Sequence, residues 1–318
     1  MVTLHLKLRV PYFYPDLDSE KIKRTIAPFS SWITRGGRMK RTCLIIFLLS
    51  IFFTYGLGTG GAGEKTGRAG EIRKGIQAEG ACAIVGMSAE QSSLTALQRA
   101  RAAAIEQAAG VAVTSGTLVT NFTVAADFIK TYARGFIVGE QVMWLPLGQY
   151  QKDSSTPPIP EYRVRIIADV YVPRKKAPAL GLRAKINRTV FRNGEQAGIT
   201  VAVNKDAGLA LFNIMADDRV ALIFPNIHEP NNVIAAGKDF LFPAKDAKIV
   251  LEMQTLPGHQ KDAEAFLVLA WDRSRKIRIG DLFAGTDPLG FNEFFRKLAE
   301  VADHVEEAIL PYEVVAGQ

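Results

Sequence analysis

Side chains that commonly carry out chemistry are few and widely separated in this chain. Beyond residue 63 the histidines are His228, His259 and His304, and none of their spacings matches the short intervals of zinc-binding motifs. Cys82 and Ser115 have no nearby histidine and carboxylate that could activate them as nucleophiles, although a triad assembled from distant parts of the chain is left open. These residues favour surface or core positions over a reaction centre.

Two pairs of adjacent carboxylates, Asp217-Asp218 and Glu306-Glu307, are the remaining candidates for acid-base chemistry. Neighbouring side chains on a helix or a turn diverge, so we expect these carboxylates to be solvated rather than to form a general acid and base pair. The sequence therefore predicts no catalytic, cofactor-binding or metal-binding residues, and we expect the protein not to be an enzyme. A hydrolase is the least favoured alternative.

A glycine-rich run at 58–66 is similar to a phosphate-binding P-loop. In that motif a lysine directly follows the last glycine, and a helix comes next. Here Glu64 separates Gly63 from Lys65, which would place a carboxylate where the backbone meets phosphate, and no helical pattern follows. We expect this run to belong to the exit of a signal peptide, and we expect no nucleotide cofactor.

Positive charge is concentrated at the start of the chain. The protein has a net charge of +7 and an isoelectric point near 9.3, but residues 1–63 carry nine Lys and Arg against three Asp and Glu. The remainder is nearly neutral, so it lacks the electrostatic field that attracts nucleic acids. We therefore expect no nucleic-acid partner.

Residues 39–63 have the pattern of a secretory signal peptide. Lys40 and Arg41 precede an apolar run at 43–53, and small residues follow. This run is shorter than the ~20 residues that span a bilayer as a helix, so an uncleaved anchor in the inner membrane is the second interpretation. Cleavage would give a periplasmic or otherwise extracytoplasmic protein, and we interpret 1–38 as a non-native extension upstream of the true initiator, Met39.

The segment 64–172 is predicted to be a small α+β domain. Alternating patterns predict strands at 76–85, 136–145 and 162–172, and an alanine-rich helix follows the first of them. Ser92 or Ser93 is the expected N-cap of this helix, and Gly110 is its expected end. Strands around such a helix place it on one face of a sheet. Cys82 falls on the inward side of the first strand.

A short Pro-bounded basic linker at 173–181 leads to the second segment, 182–318. Short apolar runs with turn signals roughly every 8 to 12 residues predict an all-β, sandwich-like domain with a C-terminal helix. We expect proteases to cut in this linker or in the loop 149–160. The apolar stripe of the C-terminal helix is expected to dock on the sandwich and comprises Phe291, Phe294, Phe295, Leu298, Val301, Val305 and Ile309.

Binding residues, if present, are expected on the loops of the sandwich. Asn226, Asn231 and Asn232 surround Pro225 in a turn-rich stretch, and loops on a rigid scaffold commonly carry ligand contacts. For a glycan ligand, Trp271 and Tyr312 are the first aromatic residues to test.

Residues 73–172 resemble the N-terminal domain of flagellar-assembly T proteins and related surface lipoproteins. The resemblance rests on Glu79-Gly80-Ala81, the Ala-Arg-rich helix at 100–105, the VTSG sequence at 113–116 and the returning strand at 162–164. It implies an envelope protein. A lipidated cysteine, present in some relatives, is missing, because Cys43 stands at the beginning of the apolar run.

The second segment resembles a family of uncharacterised bacterial envelope domains. The pattern follows in order at 191–195 (FRNGE), 222–226 (LIFPN), 231–237 (NNVIAAG), 242–243 (FP) and 311–315 (PYEVV). This resemblance implies an extracytoplasmic domain of unknown ligand, often attached to other envelope or signalling modules, with no established catalytic residues.

Taken together, these features predict a non-catalytic exported cell-envelope protein that acts as a structural, assembly or binding adaptor. The expected partners are envelope proteins or peptidoglycan, and the membrane is contacted only through the signal segment if this stays uncleaved. The alternative is a glycan-binding or peptidoglycan-binding protein.

Overall fold

A computed structural model describes residues 70–110, 134–173, 179–283 and 287–317, all of which belong to one compact unit. The expectations for the extension 1–38, the signal peptide 39–63, the P-loop-like run 58–66 and Ser115 fall outside these residues. Within the described part of the chain, no helix is long and apolar enough to cross a membrane.

The first segment forms a four-stranded antiparallel sheet with a helix on one face. The strand order is β1–β4–β2, with β3 beside β4, and helix α1 packs mainly on β1 and β4. The predicted α+β arrangement is confirmed. The elements are β1 (Glu71–Ala83), α1 (Ala89–Ala109), β2 (Phe136–Trp144), β3 (Gly148–Tyr150) and β4 (Ile159–Val172).

Helix α1 begins earlier than the sequence suggested. Ser88 is extended and caps the helix, because its side chain accepts a hydrogen bond from Gln91 N while the Gln91 side chain accepts one from Ser88 N. The prediction of Ser92 or Ser93 as N-cap is therefore wrong. Ser92 is buried in the first turns, where its hydroxyl donates to Ser88 O. Gly110 ends the helix at φ 72°, as predicted.

Alanines give α1 its close approach to the sheet. Ala96, Ala100 and Ala104 are fully buried against it. Gly80 on β1 leaves the necessary space, since an added Cβ there would come within 2.6 Å of Ala100 N and closer still to Ala96 O.

The second segment contains a seven-stranded sheet with a three-stranded and a two-stranded sheet. The seven-stranded sheet has the order β15–β10–β9–β14–β16–β6, with β11 beside β9, and the smaller sheets are β12–β8–β5 and β13–β7. The all-β prediction is confirmed. The strands are β5 (Arg183–Ile186), β6 (Val190–Arg192), β7 (Gln196–Ala197), β8 (Ile199–Ala202), β9 (Ala207–Ile214), β10 (Arg219–Phe224), β11 (Val233–Ile234), β12 (Phe240–Phe242), β13 (Leu251–Glu252), β14 (Lys261–Asp272), β15 (Leu289–Gly290) and β16 (Val305–Val315).

The seven-stranded sheet separates two apolar cores, and β14 contributes to both. Phe266 and Val268 pack with residues of the smaller sheets. Leu267 and Leu269, on the opposite face, join a cluster that also contains Ile105 of α1 and other residues of the first segment. A strand buried on both faces has a continuous apolar sequence, as β14 does from Ala265 onward.

Two α-helices and one 310 turn lie between β14 and the last strand. They are α2 (Ile279–Leu282), α3 (Phe291–Ala299) and the 310 turn (Ala302–His304). The predicted C-terminal helix is confirmed in α3, whose Phe294 packs edge-on to Phe212 of β9 with ring centroids 4.9 Å apart. Its predicted continuation is wrong. Val305 and Ile309 lie on β16, which pairs with the whole length of β14, from Trp271↔Val305 to Lys261↔Val315. Pro311 would break a helix interior, whereas in β16 it precedes the residues that pair with β6, Glu313 to Val315.

Candidate functional site

A cleft of about 370 Å³ lies beside the beginning of α1. One wall is a single face of the helix, formed by Gln91, Leu94, Thr95 and Gln98, whose spacing of three and four residues places them together. This face is distinct from the alanine face that contacts the sheet. The opposite wall comes from the second segment and comprises Ala216 of the β9–β10 turn, Gly258, and the run Gln260, Lys261, Asp262 and Ala263 at the start of β14.

Gln91 connects the two walls of the cleft. Its Nε2 donates a hydrogen bond to Lys261 O at 3.0 Å, while its Oε1 accepts one from Ser88 N at 3.1 Å. Asp262 fixes the turn on the far wall, because its two oxygens accept from Leu256 N and contact His259 Nδ1 at 2.6 Å. Amide, hydroxyl and backbone groups on the walls suit a ligand that is polar and neutral.

Arg101 is the centre of a buried ionic network that joins the two segments. Its guanidinium donates to both oxygens of Glu140 on β2 and, at 2.6 Å, to Asp218 Oδ1 in the β9–β10 turn. The guanidinium carbon lies 4.4 Å from the centroid of the Phe291 ring on α3. Asn292 Nδ2 donates to Glu140 Oε1 as well.

Burial alone would lower the pKa of Arg101, but the hydrogen bonds and charges of Glu140 and Asp218 more than offset this, so the pKa is raised. The guanidinium is therefore a permanent charge and a structural one. A sequence signal for this network existed, since an arginine in the apolar stripe of a helix requires a buried counter-charge. The expectation that Asp217-Asp218 is solvated is wrong for Asp218.

A second polar network is enclosed under the seven-stranded sheet. Tyr312 Oη of β16 lies 2.6 Å from Glu264 Oε2 of β14 and 2.7 Å from Asn213 Oδ1 of β9. Asn213 Nδ2 donates to Glu264 Oε2 at 3.2 Å, and Ala216 N donates to Glu264 Oε1 at 3.3 Å. Burial raises the pKa of Glu264 to about 7 and the pKa of Tyr312 well above its usual range.

The aromatic residues proposed as glycan contacts are both in the interior. Tyr312 is fully buried, and Trp271 is 3% exposed with its indole packed against Gly208. A ring must present a free face to stack on a sugar, so the expectation that Trp271 and Tyr312 contact a glycan is wrong. For Trp271, the continuous apolar run of β14 was the available sign that the ring lies inside.

The remaining candidate residues occupy separate places. Cys82 is buried, as predicted, and burial raises the pKa of its thiol, which favours the neutral form. His228 and His304 are exposed at a loop and at the 310 turn, far apart in sequence from the His259–Asp262 contact. In the ranges that the structure describes, no three His, Cys, Asp or Glu side chains form a group able to hold a metal ion.

The asparagine-rich loop is organised by the side chain of Asn226. Its side chain accepts from His228 N and Glu229 N and donates to Ile223 O. Asn231 Oδ1 accepts from Val233 N, and the backbone carbonyl of Asn232 accepts from Leu209 N. These contacts stabilise the loop, and whether it also contacts a ligand stays a prediction.

The Glu306-Glu307 pair is also structural in part. The Glu306 carboxylate accepts hydrogen bonds from Leu180 N and Leu182 N, where the chain enters the second segment. Successive side chains on a strand point to opposite faces, so the two carboxylates diverge, as the sequence predicted. Both are half-buried, and burial raises the pKa of Glu307 to about 7, so the expectation of full solvation is wrong.

One part of the second segment matches a known protein family. Residues 190–262 match a family described as a domain of unknown function (DUF4384). The matched segment runs from β6 to the first residues of β14, so it contains the far wall of the cleft except Ala263, and it contains neither α1 nor β16. The prediction of an uncharacterised domain family in the second segment is confirmed at this level. No curated protein sequence matches the chain.

Proposed function

We propose that the protein is a non-catalytic, exported cell-envelope protein that acts as a binding adaptor. The observation that carries the proposal is the cleft between α1 and the start of β14, to which both segments contribute one wall. The signal-peptide pattern at 39–63 supports export. A cleft built from two segments presents a single binding surface only when both are folded together, as expected of an adaptor.

The walls of the cleft support a neutral polar ligand. Thr95 and Gln98 present a hydroxyl and an amide, and the charged Asp262 side chain is already engaged by Leu256 N and His259. Groups of this kind hydrogen-bond peptide backbones of a partner protein, which is the first candidate ligand. They also suit the hydroxyl and acetamido groups of a glycan, so peptidoglycan is the second candidate.

The test compares the two candidate ligands and uses a variant in which a larger side chain fills the cleft. Cell fractionation first locates the protein, and the purified protein is then incubated with solubilised envelope proteins or with isolated peptidoglycan. We expect the protein in the extracytoplasmic fraction and one of the two ligands retained. Gln98→Trp should remove this retention, because an indole would occupy the cleft.

Gln77→Trp is the matched control, since Gln77 lies on the exposed face of β1, away from the cleft. It should bind as the unchanged protein does. Equal binding by the two variants would show that the cleft is not the site, and a cytoplasmic location would contradict the export proposal.

A further inference from the structure

The contacts around Tyr312 require one more proton than the neutral tyrosine provides. Tyr312 Oη makes two oxygen–oxygen contacts, 2.6 Å to Glu264 Oε2 and 2.7 Å to Asn213 Oδ1, and each such distance is that of a hydrogen bond. The hydroxyl has a single proton, and an amide oxygen has none. The second proton therefore belongs to Glu264.

With Glu264 protonated, every contact in the network is satisfied. The Glu264 hydroxyl donates to Tyr312 Oη, Tyr312 donates to Asn213 Oδ1, and Asn213 Nδ2 donates back to Glu264 Oε2. Exchanging the oxygen and nitrogen of the Asn213 amide does not remove the requirement. The amide oxygen would then face Glu264 Oε2 at 3.2 Å, again with no proton between them unless Glu264 carries one.

The surroundings of Glu264 favour its neutral form. Glu264 is 5% exposed, and its neighbours on the adjoining strands, Asn213 and Tyr312, are uncharged. The charge that acts on it is the Asp262 carboxylate on the same strand, which repels a second negative charge. Lys261 and Glu313, next along β14 and β16, form an ion pair. From β6, Phe191 covers the Tyr312 ring edge-on.

Glu264 is also connected to the cleft through the β9–β10 turn. Ala216, whose N–H donates to Glu264 Oε1, lines the cleft, as do Asp262 and Ala263, which directly precede Glu264 on β14. Two residues further along the turn, Asp218 is held by Arg101. An ionised Glu264 would lose the contact in which it donates to Tyr312, and the same carboxyl group accepts from Ala216 N, so its ionisation bears directly on the turn.

We propose that Glu264 is a built-in proton switch: protonated, it closes the network with Tyr312 and Asn213 and holds the turn at Ala216, and its ionisation shifts this turn and so weakens binding in the cleft. The effect on binding rests on the function proposed above. The effect on the turn does not.

The test follows the carboxyl carbon of Glu264 and the amide of Ala216 by NMR during a pH titration of the full chain. We expect both signals to change together with a midpoint near 7, and Glu264→Gln to abolish the change at Ala216. His259→Gln, which removes the imidazole that contacts Asp262, should leave that change in place. A Glu264 carboxyl that ionises at the value of an exposed glutamate, or an Ala216 amide that does not follow it, would overturn the proposal.

Binding to isolated peptidoglycan or to solubilised envelope proteins is then compared at about pH 5 and about pH 9, on either side of the midpoint. We expect retention to fall at the higher pH in the unchanged protein and to stay constant in Glu264→Gln. Binding by the unchanged protein that does not depend on pH would overturn the proposed link between Glu264 and the cleft. Absence of binding at both values would count against the proposed function, while the titration of Ala216 would still decide whether the switch exists.

Discussion

At the scale of single residues, burial raises the pKa of two carboxyl groups, those of Glu264 and Glu307, toward neutral pH. Burial raises the pKa of Glu264 from 4.5 to about 7, and it raises that of Glu307 by a similar amount. A raised pKa in the folded state means that the unfolded chain loses its proton at lower pH than the folded protein does. The stabilising contribution of each group is therefore complete below pH 4.5 and is lost as the pH rises toward 7.

We accordingly expect the free energy of unfolding to decrease between about pH 4.5 and about pH 7, by roughly 3 kcal/mol for the enclosed Glu264. Urea unfolding at a series of pH values measures this decrease. Glu264→Gln should reduce the slope, and Glu307→Gln is the comparison that removes the other group. A slope unaffected by Glu264→Gln would show that Glu264 is ionised in the folded protein.

Glu264 and Arg101 illustrate what residue patterns alone do not reveal. Both stand in apolar patterns, Arg101 in the stripe of α1 and Glu264 in the run that forms β14, and each is a polar exception. The exception signals that a buried partner exists, but its identity depends on packing. Asp218 and Tyr312, the partners found, are 117 and 48 residues away in sequence.

At the scale of elements, α1 packs closely on β1. The backbone of α1 passes so close to Gly80 that a Cβ there would overlap Ala96 O and Ala100 N. The helix cannot move away without separating the alanine face from the sheet. This approach depends on Gly80 and on the run of alanines together.

Gly80→Ala should therefore destabilise the protein by about 3 kcal/mol or more, at the upper end of what overpacking costs. Thermal unfolding measures the loss. Gly139→Ala on β2 is the matched control, because an added Cβ there comes no closer than 4.0 Å to its neighbour Asp169, and it should change stability by less than about 1 kcal/mol. Equal effects of the two substitutions would contradict the close approach of helix and strand.

Periodicity predicted most of the helices and strands. It did not predict where they end, and it assigned β16 to a helix. The strands predicted at 136–145 and 162–172 have clear apolar patterns, and they correspond to β2 (Phe136–Trp144) and β4 (Ile159–Val172). β16 was mistaken for helix because Val305 and Ile309 continue the spacing of α3. Its pairing with β14 is a long-range contact, which local spacing does not encode.

At the scale of the whole molecule, one apolar cluster contains residues of both segments. Ile105 and Phe136 belong to the first segment, and Leu267 and Phe294 belong to the second. That the chain divides into two domains at the linker 173–181 stays a prediction from the sequence. The shared cluster adds the expectation that the two segments unfold together, since separating them would expose these residues to water.

Arg101→Met tests this coupling. It leaves Glu140 and Asp218 without their counter-charge, so we expect a loss of about 3 to 5 kcal/mol. Hydrogen exchange should accelerate equally in β4 and in β14, which belong to different segments. Arg165→Met, which breaks the exposed ion pair with Glu79, should cost about 1 kcal/mol or less. Faster exchange in only one segment would show that the segments unfold independently.

The position of β16 in the seven-stranded sheet sets the order in which the protein can assemble during synthesis. β16 lies between β14 and β6, pairs with both, and supplies Tyr312, yet it follows all its partners along the chain. While the ribosome is still producing the earlier strands, β6 has no neighbour in this sheet and β14 has an open edge. This sheet therefore gains its full set of strand pairs only after β16 has been synthesised, however early the other strands leave the ribosome.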